Sequence, residues 1–272
     1  MPAPGRFSSR MVVSTTLPKL PHGYRLLRLD TTDSTNAEAL RRATAGEDGP
    51  LWIWSARQSK GKGRSGRDWQ SQTGNLFASL LISPRCPLAT AVQLGLVAGV
   101  AAHQAIATLM GDANRSELLK NLTLKWPNDV FLDGEKLAGI LVESAASTED
   151  DRSTVVIGTG VNLAHHPQTL PKPATSLAAH GVKATPADAL RALSETTDRW
   201  LKKWSDGAGF QEIRQAWMER ANRIGDQVSV QLPNERLEGT FEGIDASGAL
   251  RLKTADGVER RVTAGDVFFP SA

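Results

Sequence analysis

The chain has 272 residues, with 32 Lys and Arg against 29 Asp and Glu for a formal net charge of +3. That length supports one large domain and a small second one, and the ordinary apolar and charged fractions exclude a disordered or collagen-like chain. A single cysteine, Cys86, excludes an internal disulfide framework and a cysteine-based zinc site.

Residues 1–22 are rich in Pro, Ser and Thr and read as a disordered tail. Arg6 and Arg10 are not followed by a sustained apolar stretch, so no signal peptide is expected. No helix-turn-helix pattern precedes Tyr24, which argues against DNA binding. Tyr24 to Leu29 reads as a strand. A polar trio, Ser34-Thr35-Asn36, then opens a helix-forming run, with Thr35 and Glu38 at capping-box spacing. The trio either only caps the helix or also faces a small polar ligand.

Leu51 to Ala56 is strand-like, and so is Asn75 to Ile82. Between them, Gln58 to Trp69 carries Gly61, Gly63 and Gly66 interleaved with Lys60, Lys62, Arg64 and Arg67. Glycines let backbone N–H groups turn toward a ligand, and the cations deepen an anion site. Alone, such a run reads equally well as a solvated basic loop. Flanked by two core strands, it reads as a mobile lip over a fixed pocket, ordered when an anion arrives. It lacks the Walker pattern and the strand-turn-helix setting of a dinucleotide fingerprint.

Thr90 to Met110 predicts a long helix, its apolar run interrupted by Gly95, Gly99, His103 and Gln104, so no membrane span is expected. Asp112 to Asn121 is a polar connection. Leu122 to Trp126 predicts a strand running into Pro127-Asn128-Asp129, and Asp133-Gly134 makes a hairpin turn. Lys136 to Glu143 returns, Ser147 to Ser153 is an acidic turn, and Thr154 to Leu163 is a further core strand. Gly139, Gly158 and Gly160 inside these strands signal bulges or a closely lying ligand. Lys125 and Lys136 either snorkel to the surface or serve the pocket. His165-His166 reads as polar loop and not as a metal site.

Residues 164–185 read as a surface crossing. Pro186 to Trp204 is an amphipathic helix with Leu190, Leu193, Thr197, Trp200, Leu201 and Trp204 on one face, and Phe210 to Ala221 is another helix. From Asn222 the pattern changes to short strands, 227–232, 237–244, 249–253 and 258–262, separated by turn signals. The expectation is α+β: a mixed sheet packed with helices over 23–221, then a small β-barrel over 222–272.

Taken together, these motifs resemble the biotin–protein ligases. The family loop Gly-Arg-Gly-Arg-x-Gly-Arg-x-Trp matches Gly61 to Trp69, with Lys62 where arginine is usual. Lys-Trp-Pro-Asn-Asp is Lys125 to Asp129, Lys-Leu-Ala-Gly-Ile-Leu is Lys136 to Leu141 with Glu143 following, Gly-x-Gly-x-Asn is Gly158 to Asn162, and the early polar trio is Ser34 to Asn36. The resemblance runs from Tyr24 to the C-terminus and implies a class II synthetase-like catalytic domain followed by an SH3-like barrel, of the enzyme-only class.

What the resemblance implies is activation of biotin by ATP to biotinyl-5'-AMP, then transfer to a lysine of the biotin carboxyl carrier protein of a biotin-dependent carboxylase. It assigns biotin to Ser34, Thr35, Asn36, Gln58, Lys62, Gly63, Arg64, Lys136 and Gly139. ATP or the adenylate falls to Arg64, Arg67, Trp69, Asn128, Lys136 and Asn162, and the chemistry to Lys136, Arg64 and Asp129. Mg²⁺ is expected with ATP and no protein-held metal. The protein is expected in the cytoplasm, without DNA or a membrane, and homodimerisation is left open. Lys62 keeps the charge of arginine but not its planar fork. A lipoate ligase of the same broad fold is opposed by the missing Arg-Arg-x-Ser-Gly-Gly-Gly signature. A non-catalytic sensor is opposed by the retained Lys136 and Arg64, and a repressor by the absent DNA-reading pattern.

Overall fold

The computed structural model describes residues 17–144, 154–168 and 173–269. Most of the expected disordered tail and the acidic turn at 147–153 lie outside the described residues. Residues 17–22 form neither helix nor strand, and Leu20 packs against the core.

Seven strands, β1 (Arg25–Thr32), β2 (Leu51–Gln58), β3 (Leu76–Ile82), β4 (Leu122–Lys125), β5 (Asp129–Leu132), β6 (Glu135–Ser144) and β7 (Val155–Val161), form one sheet in the order β1-β2-β3-β7-β6-β5-β4. β1 and β2 are parallel and the other neighbours antiparallel, so the sheet is mixed, as expected. Alternation along the strands splits its two faces. On one face, Leu51 and Ile53 of β2, Leu81 of β3 and Val156 of β7 pack on Ala39 of α1 (Thr35–Thr44). That helix covers only part of the face.

The other face carries the main core. The expected single helix at 90–110 is a short α2 (Leu88–Ala91) and a long α3 (Leu94–Asp112). By length and composition, Leu88–Asp112 could cross a membrane, but 67% of its apolar window is buried in the fold. The aromatic stripe of α4 (Pro186–Trp204) is core: Trp200 and Trp204 donate their indole N–H groups to Gln104 and Gln93 of α2–α3, both at 2.7 Å. Burying an aromatic while satisfying its one polar atom gains the full apolar contribution, a few kcal/mol each. The stop of α4 matches the expected residue, whereas α5 (Phe210–Met218) ends three residues before Ala221.

The C-terminal part is a five-stranded antiparallel sheet in the order β11-β10-β9-β8-β12, from β8 (Gln227–Gln231), β9 (Arg236–Ile244), β10 (Leu250–Lys253), β11 (Glu259–Val262) and β12 (Asp266–Phe268). It docks on the main body. Trp126 donates its indole N–H to Gly248 O (3.1 Å), and Arg214 Nε donates to Ile244 O (2.9 Å). A side chain at Gly248 would collide with Leu96 and Phe210, which shows how closely the two parts approach.

Candidate active site

The part of the sheet that α1 leaves uncovered is the floor of a cavity of about 670 Å³, a size typical of small-molecule sites. Register places Phe77, Gly160, Gly139, Asp129 and Lys125 side by side across β3, β7, β6, β5 and β4. Strict alternation would put Lys136 and Gly139 on opposite faces. A register shift in β5–β6 pairs Val130 with Ala138 but Phe131 with Lys136. The extra residue turns Lys136 onto the floor face, a common use of a bulge.

Lys136 Nζ lies 2.7 Å from Asp129 Oδ1 and 5.4 Å from the centre of the Trp69 ring. Lys125 is also drawn inward, 9% exposed, with Nζ 5.0 Å from the Phe131 ring and 5.4 Å from Phe269. Neither lysine snorkels away. The Trp69 indole lies flat over the cross-strand pair Gly139 and Gly160. A Cβ on Gly160 would come within 2.6 Å of Trp69 Cε2 and Nε1, and one on Gly139 within 3.0 Å of Cζ3. The strand glycines do mark a close approach, but its immediate occupant is a ring of the protein itself.

A polar pole closes one end. Ser34, not Thr35, is the N-cap of α1, and Glu38 pairs with Arg41 and Arg42 instead of completing a capping box. Asp33 steadies the cap by accepting from Ser34 N at 2.7 Å. The Arg41 guanidinium beside Asp33 holds its carboxyl well below the usual carboxylate range. Gln58 Oε1 accepts from Thr35 N (2.8 Å) and Thr35 Oγ1 (3.1 Å), while Gln58 Nε2 donates to Ser71 Oγ (3.0 Å). Gly61 must be glycine for this, since a Cβ would sit 2.6 Å from Ser71 Oγ. Ser79 Oγ lies 2.6 Å from Asn36 Oδ1 and 2.7 Å from Thr35 Oγ1. Ser79 Oγ is the donor to this pair of oxygens, sharing one proton between them.

Asn36 lines the cavity and braces it as well. Its Nδ2 donates to Leu141 O (3.2 Å) and Glu143 Oε2 (2.7 Å), and Gly158 leaves room for its amide. Asn162, expected on the adenylate side, is not brought to the cavity. It is 3% exposed, and its Nδ2 donates to Thr175 O at 3.0 Å, fastening the segment that follows residue 173. All the other residues expected at the site line the cavity: Ser34, Thr35, Asn36, Gln58, Lys62, Gly63, Arg64, Arg67, Trp69, Asn128, Asp129, Lys136 and Gly139.

The glycine loop differs in one respect from an open cradle of N–H groups. Gly63 N donates to Arg67 O (2.7 Å), Arg67 N to Arg64 O (3.2 Å) and Trp69 N to Gly61 O (2.9 Å), making a tight hairpin with Ser65 and Gly66 at positive φ. Those three backbone donors are spent inside the loop, and the side chains of Lys62, Arg64 and Arg67 bring positive charge to the cavity lining. Arg64 Nη1 donates to Asn128 Oδ1 (3.2 Å), and Asn128 in turn bonds Ile140 O. Sequence reasoning missed the last strand. Asp266, Val267 and Phe268 of β12 line the same cavity. The signal was there in the apolar run after Gly265-Asp266, but a three-residue strand is too short for periodicity to show.

Residues 26–162 match the Biotin/lipoate A/B protein ligase family, and residues 224–269 match the Biotin protein ligase C terminal domain. The biotin–[acetyl-CoA-carboxylase] ligase of Paracoccus denitrificans is 38% identical over 247 residues, 89% of this chain and 99% of that protein. The chain belongs to the biotin protein ligase family. The enzyme of the same name from Mycobacterium tuberculosis is 34% identical over 87% of this chain and 85% of its own length. A solved biotin protein ligase from Aquifex aeolicus, in complex with biotin and ATP, superposes with a TM-score of 0.74 at 25% identity, covering 91% of this chain and 99% of that one. The ligase fold expected from the motifs, a mixed sheet with helices followed by a small β domain, is the one found.

Proposed function

We propose that this cavity joins biotin to AMP and then passes the biotinyl group to one lysine of a biotin carboxyl carrier protein. A carboxylate is a poor acyl donor because its leaving group would be oxide. One biotin carboxylate oxygen attacks the α-phosphorus of ATP, the bond to the β-phosphate oxygen breaks, and pyrophosphate leaves. The acceptor amine then attacks the acyl carbon, the bond to the AMP oxygen breaks, and the amine sheds its proton.

The observation that carries this reading is the placement of Lys136. Its ammonium, steadied by Asp129, stands on a floor bounded by an uncharged hydrogen-bonding pole and a cationic mouth. Ser34, Thr35 and Gln58 would hold the ureido ring, which both donates and accepts hydrogen bonds. A dithiolane ring offers neither and would forgo those hydrogen bonds, each worth roughly 0.5–1.5 kcal/mol. That favours biotin over lipoate. Lys136 would face the carboxylate and α-phosphate where their charges crowd, and Arg64 and Arg67 would cover the phosphate chain. Trp69 and Asn128 would border the adenylate, and Lys62 and Gly63 the biotin tail. No protein nucleophile is needed; positioning and electrostatics suffice.

Mg²⁺ is read as arriving with ATP. Among the described residues no group of three His, Cys, Asp or Glu side chains is gathered to hold a metal. Bound, the ion would neutralise phosphate charge. The test is labelling of an isolated carrier domain with biotin in the presence of MgATP. Labelling confined to one carrier lysine is the expected result, and labelling with lipoate in place of biotin would reassign the substrate.

A further inference from the structure

The two loop arginines most concerned with phosphate are already paired, and with a carboxylate about two hundred residues away in sequence. Arg67 Nη2 donates to Asp266 Oδ1 at 3.0 Å, and Arg64 Nη1 lies 3.6 Å from the same oxygen. Arg64 Nη2 also donates to Gly265 O at 3.1 Å. Four cations at 60–67 would repel one another in the absence of a counter-charge. The C-terminal sheet supplies the missing counter-charge.

Asp266 is itself fixed. It begins β12, in register with Gln231 of β8, and the sheet is fastened to the main body through Gly248 and Ile244. A Cβ at Gly265 would meet Leu232 and Val230 at 3.0 Å, so the turn delivering Asp266 has little room to shift. The partners with room to move are the two long arginine side chains of the loop. One carboxylate shared by two guanidiniums holds them less strongly than a polyphosphate carrying several charges would.

We infer that Asp266 is a positioning residue: it anchors Arg64 and Arg67 across the cavity mouth before nucleotide binds and yields them to the phosphates when it does. The inference rests on the ATP-dependent reading only for the second half, the hand-over. Its first half concerns the ligand-free protein. It also gives the C-terminal sheet a direct part in preparing the site.

The test is limited trypsin digestion at Arg64 and Arg67 in the full chain, comparing the parent, Asp266→Asn, Asp266→Glu and Glu238→Gln. The last removes a charge from the same sheet at an exposed pair with Arg236. Without ligand, Asp266→Asn should be cut about two- to fivefold faster, the ratio expected from losing ion pairs of this exposure. Asp266→Glu should restore most of the protection, and Glu238→Gln should behave as the parent. With saturating biotin and MgATP, Asp266→Asn should regain parent-level protection, because phosphates then hold the arginines. A merely structural defect would instead raise cutting in both states and lower the thermal midpoint. Parent-rate cutting of ligand-free Asp266→Asn overturns the anchoring. Cutting that stays fast with ligand, while the parent is protected, overturns the hand-over. A parent that ligand does not protect counts against the ATP-dependent reading and the hand-over together, and the ligand-free comparison still decides the anchoring.

Discussion

Replacing Gly160 by alanine isolates the contact that shapes the cavity floor. The added Cβ would lie 2.6 Å from Trp69 Cε2 and Nε1, where apolar contact needs about 3.5–4.0 Å. The ring must retreat by roughly 1 Å, but its other edge already rests on Gly139 and its backbone N–H is tied to Gly61 O. Overpacking of this kind costs about 1–3 kcal/mol. Gly160 is not at positive φ, so alanine is conformationally acceptable, and without the clash it would stabilise slightly through the unfolded chain. Urea unfolding of the parent, Gly160→Ala, Trp69→Ala and the double variant closes a thermodynamic cycle. The expected coupling is about 1–3 kcal/mol of relief in the double variant. An equal cost for Gly160→Ala in both backgrounds would refute the stacked arrangement.

Lys136→Ala should lower the adenylation rate about 10²-fold or more while changing biotin affinity far less; single-turnover adenylate formation and calorimetric biotin binding separate the two, and an unchanged rate would leave Lys136 without a role. Arg64→Gly should still make the adenylate but retain it poorly, which a bystander protein lysine would report by becoming biotinylated; strictly carrier-specific labelling would contradict this. His103 on α3 has Nε2 3.0 Å from Leu122 O, and burial pushes its imidazole down to about 4. Its folded value is depressed below the ordinary ~6.5, so its contribution is intact above about pH 6.5 and is lost as pH falls toward 4, by up to roughly 1.4 kcal/mol per pH unit. Urea midpoints of the parent and His103→Gln at pH 7 and pH 4.5 should converge at the lower pH; parallel declines would assign the acid loss to another group.

Much of the fold was legible because each core strand carries its own short apolar pattern, and the motif loop sits between two of them. The site was legible where function depends on residue type at short spacing, as in Lys125 to Asp129 or the loop arginines. It was not legible where register decides. Lys136 and Gly139 share a face only because of a bulge, and nothing in Lys-Leu-Ala-Gly announces one. Gly158 and Gly160 announced a close approach, but not that Asn36 and Trp69 make it. Asn162 carries a motif position yet faces the segment after residue 173, a contact made by residues 13 apart. Asp266 pairs with the loop across the whole chain, a relation that only the docking of the C-terminal sheet creates.

The central claim is that one cavity activates biotin with ATP, and exchange of labelled pyrophosphate into ATP measures that step alone. Exchange should require biotin and MgATP together and be lost in Lys136→Ala. Exchange that proceeds without biotin, or that biotin fails to support while lipoate or octanoate does, would contradict it.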